Sequence, residues 1–300
     1  MLKVLGDNLP TITDYPRSKE GRITLKEIGV GEKPSIISDV FFKTMFKNGN
    51  RIKYSAKFIS YFVNISYDVL KEKLKLVSEE LDKEKLTNKS ERCDYIAELD
   101  GVFYNIEVNN NPEAYTFERN LEYTLKQYSR KVQMNKDKKS YKYSKVLQLN
   151  LNNFYFKGYE KTIHTFTLND GDVKYTDKLI IVEIYLPLLL KKYYNSGIEG
   201  LTELERFILA TYVMDIKSSK KLGKDIDIMK EYIKDSMDVM DDKSFGESYD
   251  KEQALFDDGY DSGVVDIAKN LLKENIDIST ISRVTNLSVE EITNLQKEMK

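Results

Sequence analysis

Cysteine and histidine each occur once, at Cys93 and His164, in a chain of 300 residues. A disulfide within the chain is therefore excluded, and the cytoplasm is the expected compartment. One thiol and one imidazole can build neither a zinc site nor a His-activated nucleophile. Long apolar runs are missing too. The longest, Leu179 to Leu190, is interrupted by Glu183 and Pro187 and is too short to cross a bilayer as a helix. Met1 to Pro10 lacks the basic start and apolar stretch of a signal peptide, so no membrane partner is expected. Internal repeats and low-complexity tracts are also absent.

Leu, Ile, Val and aromatic side chains are plentiful, and a chain of this length can bury a sizeable core. The net charge of −2 conceals an uneven spread. Nine Lys or Arg stand against three acids between Phe117 and Lys145, and nine acids against two Lys between Asp235 and Asp258. A basic segment suits a polyanion, because phosphate contacts and counterion release supply most nucleic-acid affinity. A solvated Lys-rich helix and loop accounts for it equally well.

The most informative stretch is Arg92 to Leu99, joined to Val102 to Asn109 by Asp100-Gly101. Asp-Gly suits a two-residue hairpin turn in which both central residues take positive φ. That turn pairs residues whose numbers sum to 201 and sets Asp94 opposite Glu107 and Arg92 opposite Asn109. These four share a face with Ile96, Glu98, Phe103 and Asn105. The other face carries Cys93, Tyr95, Ala97, Leu99, Val102, Tyr104, Ile106 and Val108. The expectation is one core face and one face for chemistry. Opposed carboxylates weaken a sheet, so a divalent cation between them is the simplest occupant. A merely solvated acidic face competes with that reading on level terms.

Elsewhere, residues 1–33 read as loop, and Ser38 as the N-cap of a helix through Phe46. A second helix is expected from Ala56 to Leu70, then a short strand near Lys75 to Leu81 and a loop from Lys83 to Ser90. Phe117 to Val132 reads as a helix with Arg119, Tyr123 and Lys126 on one face. Strands are expected at Ser144 to Asn152, Thr162 to Leu168 and Lys178 to Leu186, and helices from about Thr202. At the carboxyl end, two short helices with a Ser288/Glu291 capping box resemble a helix-turn-helix. Glu290 and Glu291 put negative charge where base contacts would be made, which favours packing or protein contact over DNA reading.

Asp94 with Glu107-Val108-Asn109 looks like the PD-(D/E)XK nuclease signature, and resembles most the recombination-promoting nuclease and transposase family of bacteria. Ser38 to Phe46 resembles that family's D-x-x-F-K-x-x-F helix, and Phe117 to Tyr123 its F-x-x-R-x-x-x-Y helix. Val146 to Asn152, Leu186-Pro187 and the closing helix pair also look like family features. The resemblance runs from about Ile37 to Lys300.

It implies an α/β fold, a restriction-endonuclease-like mixed sheet flanked by helices with a helical carboxyl-terminal extension. The implied division is 1–35 irregular, 36–200 nuclease-like and 201–300 helical. The implied activity is DNA phosphodiester hydrolysis with Mg²⁺, or Mn²⁺ in its place. Asp94, Glu107 and the Val108 carbonyl would be the metal ligands. Arg119, Tyr123 and Lys126 would contact substrate, and Asp39 is either a further site acid or a helix-start charge. Asn109 stands where the signature has lysine and this family usually has glutamine; an amide can orient water but supplies no charge. The alternative is a nuclease scaffold that binds DNA or protein with little cleavage. For the nuclease, a homodimer would allow both strands to be cut.

Overall fold

The computed structural model describes residues 15–20, 32–77, 93–111, 116–130, 133–134, 141–274, 276–285 and 287–298. By compactness the chain divides into Met1–Phe245 and Gly246–Lys300. The first unit is built on a six-stranded mixed sheet. Its strands are β1 (Lys75–Leu76), β2 (Tyr95–Leu99), β3 (Val102–Asn109), β4 (Lys145–Asn152), β5 (Ile163–Thr167) and β6 (Leu179–Tyr185), in the order β1-β2-β3-β4-β6-β5. β3, β4 and β6 run parallel, and the outer pairings are antiparallel.

The central hairpin follows its turn chemistry. Asp100 and Gly101 have φ of 52° and 80°, and Glu98 Oε1 accepts the Gly101 N–H at 3.0 Å. Tyr95 pairs with Ile106 and Leu99 with Val102, the expected register. One expectation is corrected. Both faces of the hairpin are covered, with Ile96, Phe103, Asn105 and Glu107 as buried as Tyr95, Tyr104 and Ile106. A sheet with parallel strands at its centre carries helices on both sides, which leaves no solvated face. Cys93 also departs from the expected alternation. It precedes β2 and packs with Ile96, Phe103, Tyr123 and Val146. Arg92 and the loop expected at 83–90 lie outside the described residues.

The helices of this unit are α1 (Asp39–Phe46), α2 (Ile52–Ser60), α3 (Tyr67–Lys73), α4 (Thr116–Arg130), α5 (Leu186–Ser196), α6 (Glu203–Tyr212), α7 (Ile216–Leu222) and α8 (Met229–Met240). Ser38 caps α1, accepting the Phe41 N–H at 3.1 Å. The single helix expected from Ala56 to Leu70 is two. Asn64 and Ser66 fall in the gap, and Ser66 caps α3 by accepting the Val69 N–H at 3.4 Å. Short polar side chains that bond nearby backbone favour such a break over a continuous helix. The Tyr95 hydroxyl donates to Ser55 Oγ of α2 at 2.7 Å, tying that helix to the apolar sheet face. α4, between β3 and β4, packs on the opposite face.

Beyond α9 (Lys243–Lys273), the second unit has α10 (Ile278–Thr285) and α11 (Val289–Glu298). Its core is Ala268, Ile281 and Ile292, flanked by Leu271, Leu272, Ile278, Leu287 and Leu295. The Ser288/Glu291 capping box is formed in both directions. Among the described residues no helix is long and apolar enough to cross a membrane.

Candidate active site

Glu107 lies near the carboxyl end of β3 and is 3% exposed, while Asp94 sits one residue before β2 and is half-buried. At this end of the hairpin the carboxylates take over from the backbone ladder. The Asp94 N–H donates to Glu107 Oε1 at 3.0 Å, and the Val108 N–H donates to Asp94 Oδ2 at 2.9 Å. Each acid is thus held by the other's strand, and the two stay together despite like charge. Burial raises the Asp94 carboxyl above its ordinary pKa, and the charge of Asp39 adds to this against the Val108 N–H and the ammonium groups of Lys43 and Lys47. Burial pushes Glu107 up further, reinforced by Asp94 and opposed by the Asp94 N–H, the Arg119 guanidinium and the Cys93 thiol.

Asn105, Glu107 and Asn109 of β3 share their face with Gln148, Asn150 and Asn152 of β4, which pair with them in register. Glu183 of β6 pairs with Asn150. All seven side chains are buried, and six of them are joined by hydrogen bonds. Asn109 Nδ2 donates to Asn152 Oδ1 at 3.0 Å, and Asn152 Nδ2 to Glu183 Oε2 at 2.7 Å. Asn105 Nδ2 donates to Gln148 Oε1 at 3.0 Å, Gln148 Nε2 to Asn150 Oδ1 at 2.8 Å, and Asn150 Nδ2 to Glu183 Oε1 at 2.6 Å. Burial pushes Glu183 up to about 7 against the pull of these two amides.

α4 lies over this polar face. Arg119, in its first turns, donates from Nη2 to Asn109 Oδ1 at 2.9 Å, and its guanidinium stands 6.0 Å from the Tyr123 ring centre. A positive group therefore sits at position 109 although the residue there is an amide. Asn109 is bonded at both ends, to Arg119 and to Asn152, and is 3% exposed. Tyr123 is 6% exposed and belongs to the core beneath Arg119. Lys126 is half-buried and pairs with Glu122 at 2.8 Å. Asp39 is exposed, pairs with Lys43 at 2.7 Å, and stands close enough to Asp94 to raise it. Lys131, Lys136, Lys138 and Lys139 lie outside the described residues.

The sequence reading passed over Glu183, Gln148, Asn150 and Asn152. Their signal was visible: a polar residue at every second position of β4, and one acid inside an otherwise apolar strand. Glu107, Asn109, Asn152 and Glu183 all lie toward the carboxyl ends of parallel strands, where open α/β sheets bind ligands. The candidate donors at Asp94, Glu107 and the Val108 carbonyl are all oxygen, and two crowded carboxylates, one buried and one half-buried, are of the kind that Mg²⁺ accepts alongside waters and phosphate oxygens. Among the described residues no group of three or more His, Cys, Asp or Glu side chains gathers as a metal cage.

No curated protein and no solved structure matches the chain. A family model described as "PD-(D/E)XK nuclease family transposase" matches residues 36–258, the segment that carries Asp94, Glu107, Asn109, Arg119 and the six-stranded sheet. On that match, together with a mixed sheet flanked by helices, the chain belongs to the PD-(D/E)XK nuclease family transposases.

Proposed function

We propose that the protein hydrolyses phosphodiester bonds of DNA as a divalent-metal-dependent endonuclease, with Asp94 and Glu107 at the reacting centre. The carrying observation is the pair of desolvated acids, each anchored by a backbone N–H of the other's strand, beside the Arg119 guanidinium. Keeping two like charges together out of water is unfavourable unless a proton or a cation neutralises them, and a cation would also serve the chemistry. Asp94, Glu107 and the Val108 carbonyl would hold Mg²⁺ or Mn²⁺, which would supply Lewis acidity toward water and the phosphate oxygens. Arg119 binds the scissile phosphate and offsets the charge that develops on it; a planar guanidinium suits that geometry. Tyr123 supports Arg119 from below, and Asn109 holds it from the side. Lys126 contacts the flanking strand from α4.

A scaffold that binds without cutting is the second reading. It is favoured by one observation: position 109 carries an amide bonded at both ends where the signature has lysine. Supercoiled plasmid incubated with Mg²⁺ and the wild type, Asp94→Ala or Arg119→Ala separates the two. Nicking by the wild type that is lost in both variants supports the nuclease. Binding without nicking in all three supports the scaffold.

A further inference from the structure

The buried hydrogen bonds on the α4 side of the sheet have a direction. One branch runs Arg119 to Asn109 to Asn152 to Glu183, and the other Asn105 to Gln148 to Asn150 to Glu183. Every donor points toward Glu183, and each branch ends on its own carboxylate oxygen. A guanidinium only donates and a carboxylate only accepts. The first branch is therefore fixed at both ends, and its two amides have one orientation each. The second branch has no such anchor. It begins at Asn105, whose Oδ1 meets no partner among the described residues. Glu183 is 2% exposed, and among the described residues the groups acting on its carboxylate are the Asn150 and Asn152 amides, not a cation. An acid in that position costs stability, and the two amides that donate to it are the groups that hold it there.

We propose that Glu183 is a positioning residue. As the acceptor terminus of the first branch it sets the orientation of Asn152 and Asn109, and so holds Arg119 over the acid pair. This rests on reading Asp94, Glu107 and Arg119 as the phosphodiester site. The two branches respond differently to substitution. Gln at 183 keeps one oxygen for Asn152 and presents its amide to Asn150. The second branch can then reverse, with Gln148 donating to the open Asn105 Oδ1. The Thr124 hydroxyl donates to the Asn120 carbonyl at 2.8 Å and stands 3.4 Å from Gln148 Oε1, so it can accept from the Gln148 amide once that side chain has turned. The first branch cannot reverse, because Arg119 has no acceptor. Leu at 183 removes the terminus of both branches, and Leu at 152 cuts the first while leaving Glu183 its bond to Asn150.

The test uses full-length metal-free protein labelled with ¹⁵N-arginine, in which hindered rotation of the Arg119 guanidinium gives resolved Nη signals. Glu183→Gln is expected to keep those signals. Glu183→Leu and Asn152→Leu are expected to collapse them into an averaged line, and to lower plasmid nicking with Mg²⁺ about 10- to 100-fold, the usual effect of losing a supporting hydrogen-bond partner. Wild-type Arg119 signals in a folded Leu variant would overturn the proposal, as would their loss in Glu183→Gln. If Glu183→Leu does not fold, Asn152→Leu decides; if neither folds, retention of the signals in Glu183→Gln supports the relay and their loss overturns it. The NMR readout needs no cleavage. A wild type that does not nick DNA, with Arg119 signals that follow the expected pattern, would therefore remove the nuclease reading and leave the relay standing.

Discussion

At the scale of single residues, neutralising a buried acid separates its cost to the fold from its use in chemistry. Glu107 is desolvated next to Asp94, so Glu107→Gln, which keeps an oxygen for the Asp94 N–H, is expected to melt no lower than wild type without metal. The same change is expected to reduce cleavage more than about 10²-fold, as misplacing one reacting group does. Mg²⁺ at a hundred times its dissociation constant should stabilise wild type by about 2.7 kcal/mol and leave Glu107→Gln unmoved, which a thermal-shift titration reads directly. Glu183 carries a pH effect of definite sign. Its folded pKa is raised from 4.5 to about 7, so the folded chain keeps a proton that the unfolded chain has released between those values. The protonated acid, like Gln, still leaves one oxygen for Asn152. Stability from this group is complete below about pH 4.5 and is lost as pH rises through about 7, by about 3 kcal/mol. His164 stands opposite Glu183 in register, while Tyr159 and Tyr185, raised by its charge, stay protonated over this range; comparing with Glu183→Gln removes the part of the His164 titration common to both proteins. Urea unfolding at pH 5 and pH 7.5 should show the wild type losing ground to the Gln variant as pH rises, and parallel curves would contradict it.

At the scale of elements, the hairpin is the part most legible in the sequence, because turn chemistry alone sets its register. Asp100-Gly101 demands two positive φ angles, and a two-residue loop leaves no slack in pairing. Gly101→Ala tests that cause in isolation. A methyl group there meets nothing within 4 Å, so the expected loss of about 1–2 kcal/mol is backbone strain alone, measurable by denaturant midpoint. The covering of the acidic face was not legible, since alternation of polar and apolar residues looks the same whether water or a polar helix lies above it. β4 is the clearest instance: Gln148, Asn150 and Asn152 alternate like a solvated strand yet are all fully buried. α4 answers with a polar face of its own, Thr116, Asn120, Thr124 and Gln127, equally buried. Neither polar atom of the Asn120 or Gln127 amide meets a partner among the described residues. A buried amide without a partner costs about 1–3 kcal/mol, so Gln127→Leu is expected to raise stability by about 1–2 kcal/mol in urea denaturation. An unchanged or lowered midpoint would mean that this amide is satisfied after all. The sequence leaves Glu183 as either a buried hydrogen-bonded acid or a strand-edge residue outside the site, for a related reason: a single acid in a strand is ambiguous until its register neighbours are known, and here it is the buried, hydrogen-bonded one.

At the scale of the whole molecule, every residue assigned to the reaction lies in the Met1–Phe245 unit, while Gly246–Lys300 has a core of its own in Ala268, Ile281 and Ile292. Separate cores make separate cooperative units the default expectation. The family match stops at residue 258, part-way along α9, so most of that second core lies beyond it. The charge of the closing helices also argues against a phosphate-binding role. Glu290 and Glu291 occupy the first turn of α11, where the helix dipole favours negative side chains and a nucleic acid would meet them head-on. A chain ending at residue 258 is therefore expected to fold, to melt within a few degrees of the main transition of the full chain, and to keep its DNA affinity within about threefold at fixed salt. Its slope of log affinity against log salt should also be unchanged, because that slope counts phosphates neutralised, and the neutralising charges lie in the retained unit. Calorimetry and DNA titration at several salt concentrations read both properties. Loss of affinity with a shallower slope would assign phosphate contacts to the last two helices, whereas loss of the fold would show that the two cores depend on each other.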